Sequence, residues 1–149
     1  MRVELTVLGS GTSMGVPVIG CPCRVCQSDD PRDKRTRPSI LLRYNKRSVV
    51  IDTGPDFRTQ AIREGLDRLD AILYTHAHAD HILGLDDVRP LNNQGSHVVP
   101  IYGNRPALDG LRRVFKYIFD GNYPWGGVSL IKDHLITGDR KSTRLNSSH

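Results

Sequence analysis

A run of six residues contains three histidines and one aspartate, separated only by two alanines: His76, His78, Asp80 and His81. His76 and His78 are two positions apart, so their rings leave an extended backbone on the same side and can share one ion. Adjacent side chains diverge, and Asp80 and His81 therefore suit a second ion at a turn from strand to helix. Imidazole and carboxylate ligands fit zinc, manganese or iron.

The chemistry available to such a site is hydrolysis. Two divalent cations roughly 3.5–4 Å apart activate water and hold both oxygens of a displacement reaction. The apolar run Ala71–Tyr74 before the histidines predicts a buried strand that delivers them. A polar loop that happens to be rich in histidine is the alternative, but small residues at the interposed positions leave the four larger side chains room to coordinate.

Three cysteines form a second cluster with the spacing C-x-C-x-x-C: Cys21, Cys23 and Cys26. Three thiolates can bind one structural zinc, because closed zinc sites are tetrahedral and rich in sulfur, but they leave one position empty. Three cysteines cannot all pair in disulfides, and the pattern therefore favours a reducing compartment. Burial as small hydrophobic side chains is the alternative, which the proline and arginine of the loop oppose.

The length of 149 residues predicts one domain. No apolar run approaches the ~18 residues of a membrane span, and no signal peptide is evident, so we expect a soluble, cytoplasmic protein without a membrane partner. The C-terminal run Asp139–His149 looks like the translation of a sequencing adapter and is predicted to be non-native. Its net +2 leaves +3 of the formal charge of +5, which is weak evidence for an anionic partner.

Alternation and turn residues predict a chain of strands and helices. The predicted strands are Val3–Leu8, Ser39–Tyr44, Ser48–Ile51, Leu69–Tyr74 and Val98–Tyr102, with a further strand beginning at Val128–Ile131. The predicted helices are Phe57–Leu66, Ile82–Val88 and Arg105–Phe119. We expect His97 to lie on the surface and assign no role to His134.

Two connecting segments invite a ligand. Gly9–Gly15 is glycine-rich, but its glycines do not have the spacing of a nucleotide-binding loop, and it is predicted to bring backbone close to the site or simply to turn. The segment Ser28–Pro38 contains four close basic residues, namely Arg32, Lys34, Arg35 and Arg37. Either this is a solvated loop or one or two arginines hold a substrate phosphate.

The motif of His76, His78, Asp80 and His81 after a buried strand resembles the signature of the metallo-β-lactamase superfamily. The resemblance implies an α/β (α+β) fold, namely the N-terminal half of an αββα sandwich with a two-metal hydrolytic site at the sheet edges. It also implies that Asp52, at the end of the strand Ser48–Ile51, orients a metal ligand or its loop. An ordinary turn or cap aspartate is the alternative.

Within that superfamily, four features together resemble the cyclic phosphodiesterase branch: the Gly9–Ser13 loop, the cysteine cluster, Asp52-Thr53-Gly54 and the histidine motif. The resemblance extends over Met1–Gly138. It implies that the cysteines and a distant histidine bind a structural zinc, and that the two halves of the histidine motif each hold one catalytic zinc or manganese ion. A hydroxide held by these ions would then attack a small cyclic phosphodiester. No general acid is identified.

The sequence contains too few recognised ligands for the metal ions that its motifs predict. A catalytic zinc takes three protein ligands plus water, so two ions need about five or six protein contacts, and the motif supplies four residues. The cysteine site is likewise one ligand short. Residues 1–138 are therefore predicted to be the truncated N-terminal part of a longer enzyme, inactive alone, whose uncovered sheet face makes it poorly stable.

Three other functions stay open. A tRNA 3′-processing endonuclease of the same superfamily would make nucleic acid the partner, but no extended RNA-binding arm is visible. A pyrroloquinoline-quinone biosynthesis protein shares the cysteine arrangement, yet we would expect its metal motif to be altered. A non-enzymatic zinc-binding module would bind one zinc without hydrolysis. A homodimer is compatible with each function.

Overall fold

The structure, a computed structural model, describes residues 2–121, 124 and 126–137. The adapter-like run 139–149 lies outside these residues. One six-stranded sheet has its strands in sequence order: β1 (Val3–Gly9), β2 (Ser39–Tyr44), β3 (Arg47–Ile51), β4 (Ala71–Tyr74), β5 (Val99–Gly103) and β6 (Ile131–Leu135). The first three strands are antiparallel, and β3 to β6 are parallel. The predicted α/β class is confirmed.

The β2–β3 hairpin has a two-residue turn whose chemistry explains its tightness. Asn45 and Lys46 have positive φ angles of 47° and 61°. This mirror-image turn matches the twist of the flanking strands. It fixes the register in which Leu42 lies opposite Val49 and Ile40 opposite Ile51.

Helices fill the crossovers between the parallel strands. They are α1 (Phe57–Arg63) before β4, α2 (Ala79–Ile82) and a 3₁₀ helix (Leu85–Gly95) before β5, and α3 (Arg105–Val114) and α4 (Lys116–Phe119) before β6; a 3₁₀ turn (Pro31–Asp33) precedes β2. Right-handed crossovers between strands in sequence order place helices on one face of the sheet. The core lies between that face and the helices and includes Leu8, Leu41, Val50, Phe57, Ile72, Ile82, Ile101 and Leu111.

Several predicted boundaries are wrong. The expected helix Arg105–Phe119 is interrupted at Phe115 (φ −107°, ψ 40°), whose side chain is buried in the core. The short helix expected to stop before Pro90 is instead a 3₁₀ segment that contains this proline. The last strand begins at Ile131, not at Val128. Packing against the sheet decides these positions, and local sequence preference does not contain that information.

The sheet face opposite the helices is also apolar. Strand pairing places one set of apolar side chains on it: Val3, Leu5, Val7, Ile40, Leu42, Val49, Ile51, Ala71, Leu73, Pro100 and Tyr102. On β1 these side chains are between 54% and 59% exposed, so no described part of the chain covers that end of the face. The low stability expected of the chain alone stays a prediction, which urea unfolding would check.

No helix in the described ranges is long and apolar enough to cross a membrane.

Candidate metal centre

The histidine motif follows β4, a central strand of the sheet. β4 pairs with β3 on one side and β5 on the other, and the chain leaves it at Tyr74. His78 then occupies the N-cap of α2, so Asp80 and His81 lie within that four-residue helix. Open α/β sheets bind ligands beyond the carboxyl ends of their strands, which is where the motif lies.

His76 and His78 form one donor pair, that is, two side chains that can each donate a lone pair to the same cation. The Nε2 atom of His76 lies 3.0 Å from the Nδ1 atom of His78. Thr75 Oγ1 lies 3.0 Å from the other ring nitrogen of His76, which leaves Nε2 for a ligand. Two nitrogens bound to one tetrahedral zinc lie about 3.3 Å apart, given Zn–N distances of about 2.0–2.1 Å. The facing nitrogens therefore fit a shared divalent cation.

Asp80 and His81 form a second pair beside the first. Asp80 Oδ2 lies 3.1 Å from His81 Nε2. The rings of His76 and His81 have their centroids 4.0 Å apart, so the two donor pairs adjoin. One imidazole and one carboxylate are donors that divalent zinc and manganese accept. The residues present thus fit two neighbouring cations, divided between them as the spacing suggests.

Asp52 lies behind both pairs. It directly follows β3, has its backbone in the left-handed region (φ 62°) and is only 4% exposed. Its carboxylate accepts hydrogen bonds from Thr75 N (2.8 Å) and Thr75 Oγ1 (2.6 Å), and lies 2.7 Å from His81 Nδ1. A carboxylate here favours a proton on Nδ1, which leaves the Nε2 lone pair of His81 for a cation. This contact is what the predicted orienting role of Asp52 requires.

Two glycines let neighbouring backbone approach the motif. A Cβ on Gly54 would lie 2.1 Å from the carbonyl oxygen of Asp80, and one on Gly110 in α3 would lie 2.2 Å from the Cβ of Ala77. Neither space admits a side chain. The sequence alone predicts no supporting role for Gly110 or Thr75. Position alone gives no signal for Gly110, since it lies 33 residues beyond Ala77 in the chain.

The three cysteines come together in a loop between β1 and β2. One sulfur from each of Cys21, Cys23 and Cys26 lies within 4.8 Å of the others, and all three thiols are free. The Cys26 amide donates to Cys23 Sγ at 3.4 Å, and the Val18 amide donates to Cys26 Sγ at 3.4 Å. Sulfurs around a tetrahedral zinc lie about 3.8 Å apart. The cluster therefore fits three of the four ligands of one zinc ion.

Backbone hydrogen bonding also prepares one thiol for metal binding. The Cys26 amide, together with the neighbouring thiols of Cys21 and Cys26, lowers the pKa of Cys23 to about 7. Metals bind the thiolate form, so a lowered pKa favours coordination near neutral pH.

Replacing Cys23 with alanine is expected to reduce zinc content or folded yield, because two sulfurs retain a zinc ion less well than three. Zinc per chain, measured by elemental analysis after gel filtration, checks this. Val25→Ala is the matched control, since Val25 lies on the same loop and is 47% exposed. Equal zinc content and stability in the Cys23 variant and the control would contradict the assignment.

The two other described histidines lie elsewhere. His97, expected on the surface, is partly exposed, and its Nε2 lies 2.8 Å from the carbonyl oxygen of Leu69. His134 stacks on Tyr102 with ring centroids 4.9 Å apart. Neither contact involves the motif.

Comparison with known proteins agrees with this geometry. A sequence profile of the family described as the β-lactamase superfamily domain matches residues 47–141, which is more than half of the chain. The chain belongs to the metallo-β-lactamase superfamily. The predicted superfamily resemblance is thereby confirmed.

Individual relatives extend the comparison. The chain is 54% identical to the crystal structure of a diphosphatase from the PhnP family, with a TM-score of 0.82 over 92% of this chain and 51% of that one. It is 46% identical over 127 residues to an octanoyltransferase of Porphyromonas gingivalis, covering 85% of this chain and 25% of that protein. It is 36% identical over 83 residues to a ribonuclease Z of Bradyrhizobium diazoefficiens, covering 53% of this chain and 28% of that protein. The chain thus spans about half of the diphosphatase and about a quarter of the other two.

Proposed function

We propose that this member of the metallo-β-lactamase superfamily carries the cation-binding part of a metal-dependent hydrolase that cleaves a small phosphodiester, preferably a cyclic one. The observation that carries the proposal is the pair of adjoining donor sets at one sheet edge, with a buried carboxylate behind them. The identity of 54% to a PhnP-family diphosphatase supports a phosphoryl substrate.

Each residue has a distinct part in holding the cations. His76 Nε2 and His78 Nδ1 would bind one ion, zinc or manganese, and Asp80 Oδ2 and His81 Nε2 would bind the second. Divalent cations at such a site supply positive charge for the phosphoryl oxygens and lower the pKa of water. Asp52 orients the His81 ring and keeps its proton on Nδ1, so that the lone pair of Nε2 stays available to the cation.

The remaining cation ligands are proposed to come from sequence outside this chain. The motif supplies four residues, whereas two catalytic ions need about five or six contacts. In this proposal, residues 1–138 form the N-terminal part of the hydrolase domain. The remaining part of that domain packs against the apolar face of the sheet. The three free thiols favour a reducing, cytoplasmic setting.

A ribonuclease Z-type activity is the second candidate. It is favoured by the identity of 36% over 83 residues to a ribonuclease Z. The substrate would then be an RNA phosphodiester, cleaved at the same cations. A small cyclic phosphodiester shares the ester bond of RNA but is much smaller, whereas a diphosphate is cleaved at an anhydride bond. Substrate choice therefore separates the candidates.

The deciding experiment is an activity assay of two proteins, namely this chain and the protein encoded by the complete reading frame that contains it. Each protein is loaded with zinc or manganese. The substrates are a ribose cyclic phosphodiester, a nucleoside diphosphate and a tRNA precursor. Turnover of the cyclic phosphodiester with the highest kcat/KM supports the proposal. Preference for the diphosphate or the tRNA precursor overturns the cyclic substrate, and one zinc per chain without hydrolysis identifies a zinc-binding module.

A further inference from the structure

Thr75, the residue directly before the histidine motif, joins two parts of the metal centre through one hydroxyl group. Its Oγ1 atom lies 2.6 Å from Asp52 Oδ2 and 3.0 Å from His76 Nδ1. The same Oδ2 atom lies 2.7 Å from His81 Nδ1. One carboxylate oxygen is therefore linked to His81 directly and to His76 through the hydroxyl of Thr75.

The position of the Asp52 carboxylate is fixed by the backbone around it. The Asp52 amide donates to the carbonyl oxygen of Leu73 at 2.9 Å, which continues the pairing of β3 with β4. On the other side, the Ser39 hydroxyl donates to the carbonyl oxygen of Asp52 at 2.8 Å. The Thr75 amide then donates to Asp52 Oδ1 at 2.8 Å, a bond that any residue except proline would keep at position 75. The carboxylate is thus a fixed acceptor for the Thr75 hydroxyl.

The direction of each hydrogen bond follows from the number of protons available. A carboxylate only accepts hydrogen bonds, whereas a hydroxyl has one proton to donate and can also accept. Two oxygens 2.6 Å apart need a proton between them, so the Thr75 hydroxyl donates to Asp52. That proton is then committed, and the hydroxyl can only accept from His76. Nδ1 of His76 must therefore carry the proton, and the lone pair of the ring lies on Nε2.

We infer that Thr75 is a positioning residue that extends the influence of Asp52 to His76. This inference rests on the proposed function, in which His76 Nε2 binds the first cation and His81 Nε2 the second. Through Thr75, one buried carboxylate selects the Nδ1–H tautomer of one histidine in each donor pair. A hydroxyl that donates to a carboxylate is also a stronger acceptor, because linked hydrogen bonds polarise one another. The two cation sites thereby share one support.

Thr75 suits a substitution test because it is exposed and lies outside the core. Valine has the branched shape of threonine but no hydroxyl, and it keeps the amide bond to Asp52 Oδ1. Serine keeps the hydroxyl and lacks only the methyl group. The matched control is Thr59→Val, which makes the same change at an exposed position of α1. We expect all three variants to fold, and urea unfolding checks this.

The first measurement compares the tautomers of two histidines in one spectrum. The protein encoded by the complete reading frame is labelled with ¹⁵N in its histidines and freed of its catalytic ions by a chelator. Ring nitrogen shifts are recorded at about pH 9, where imidazole groups are neutral. We expect a proton on Nδ1 of both His76 and His81 in the unsubstituted protein, in Thr75→Ser and in Thr59→Val. In Thr75→Val, His76 should lose Nδ1–H as its main form because the acceptor is gone, whereas His81 should keep it through its direct contact with Asp52.

Zinc affinity then measures the effect on the cation. Competition with a chelator of known affinity gives the free zinc concentration at which half of the catalytic sites are filled. Thr75→Val is expected to raise this concentration about 10–100-fold, the range typical for residues that support a metal ligand. Thr75→Ser and Thr59→Val should both stay within a few-fold of the unsubstituted protein.

Several results would overturn the role of Thr75. A proton on Nε2 of His76 in the unsubstituted protein would do so without any variant having to fold. Unchanged His76 shifts and zinc affinity in Thr75→Val would do so as well, as would a serine variant that behaves like the valine variant. Loss of Nδ1–H at both His76 and His81 in Thr75→Val would reduce Thr75 to a structural part of the turn.

These readouts do not depend on turnover. If the metal-loaded unsubstituted protein hydrolyses none of the substrates, the proposed function is overturned, while the tautomers and zinc affinities still decide the role of Thr75. If it does hydrolyse one of them, Thr75→Val should lower kcat/KM about 10–100-fold and Thr75→Ser should restore it to within a few-fold.

Discussion

Replacing His78 with alanine is expected to abolish phosphodiester turnover. His78 Nδ1 faces His76 Nε2 at 3.0 Å, and without it the first cation keeps one nitrogen from this motif. A catalytic zinc usually has three protein ligands, so the loss should exceed the 10–100-fold typical for residues that only support a ligand. The measurements are the kcat/KM of the metal-loaded protein encoded by the complete reading frame and the number of catalytic ions bound per chain.

A second histidine provides the control for this substitution. His134→Ala removes an imidazole that stacks on Tyr102 and makes no contact with the motif. We expect it to keep both metal content and turnover within a few-fold of the unsubstituted protein. A His78 variant with near-normal rate and full metal content would remove His78 from the site.

The histidine motif could be predicted because its geometry is local. A separation of two residues brings His76 and His78 to one side of the chain, and the following turn sets Asp80 and His81 beside them. The three cysteines are local in the same sense, with six residues spanning the cluster. Where ligand atoms are this close in sequence, the backbone leaves few ways to arrange them.

The supports of the site are not local, and most could not be predicted. His81 meets Asp52 across 29 residues, and only the parallel pairing of β3 with β4 brings them together. The aspartate itself was proposed from family resemblance, whereas its partner Thr75 was not identified. Gly110 contacts Ala77 through the packing of α3 on the sheet, which no spacing rule reports.

The boundaries of the strands and helices show the same division, because some depend on local sequence and others on tertiary packing. The hairpin between the predicted strands Ser39–Tyr44 and Ser48–Ile51 follows from local sequence, although β3 begins at Arg47, one residue earlier than predicted, and leaves a two-residue turn. The break at Phe115 does not follow from local sequence, because it depends on the buried position of that ring among side chains from other elements. Hydrophobic periodicity predicts which face of a helix is buried but not where tertiary contacts interrupt it.

Replacing Asp52 with asparagine is expected to weaken cation binding about 10–100-fold while the fold survives. Asparagine tolerates the φ of 62° at this position and keeps the shape of the carboxylate. The free energy of unfolding should fall by only about 1–2 kcal/mol, because one or two hydrogen bonds are impaired. Chelator competition measures the cation affinity, and urea unfolding measures the stability.

The loss of cation affinity in Asp52→Asn has a physical reason. The amide of asparagine has one NH₂ group, which must face either the His81 ring or Thr75, and both of these donate to the carboxylate of Asp52. If its NH₂ group faces His81, Nδ1 of the ring must accept, and the proton moves to Nε2, the atom assigned to the cation. If the amide is turned round, the NH₂ group meets the Thr75 amide N–H, which now donates to Asp52 at 2.8 Å. Nitrogen chemical shifts of the His81 ring distinguish the two tautomers, with Nδ1–H expected in the unsubstituted protein.

Asp52→Ala separates orientation of the ring from support of the turn. Alanine leaves the Thr75 amide without its acceptor and is strained at a positive φ, so it should cost about 2–4 kcal/mol of stability as well as cation affinity. If asparagine keeps full affinity and an Nδ1–H ring while alanine unfolds the chain, Asp52 is an ordinary turn residue. If asparagine loses affinity with its fold intact, the carboxylate acts on the cations through His81.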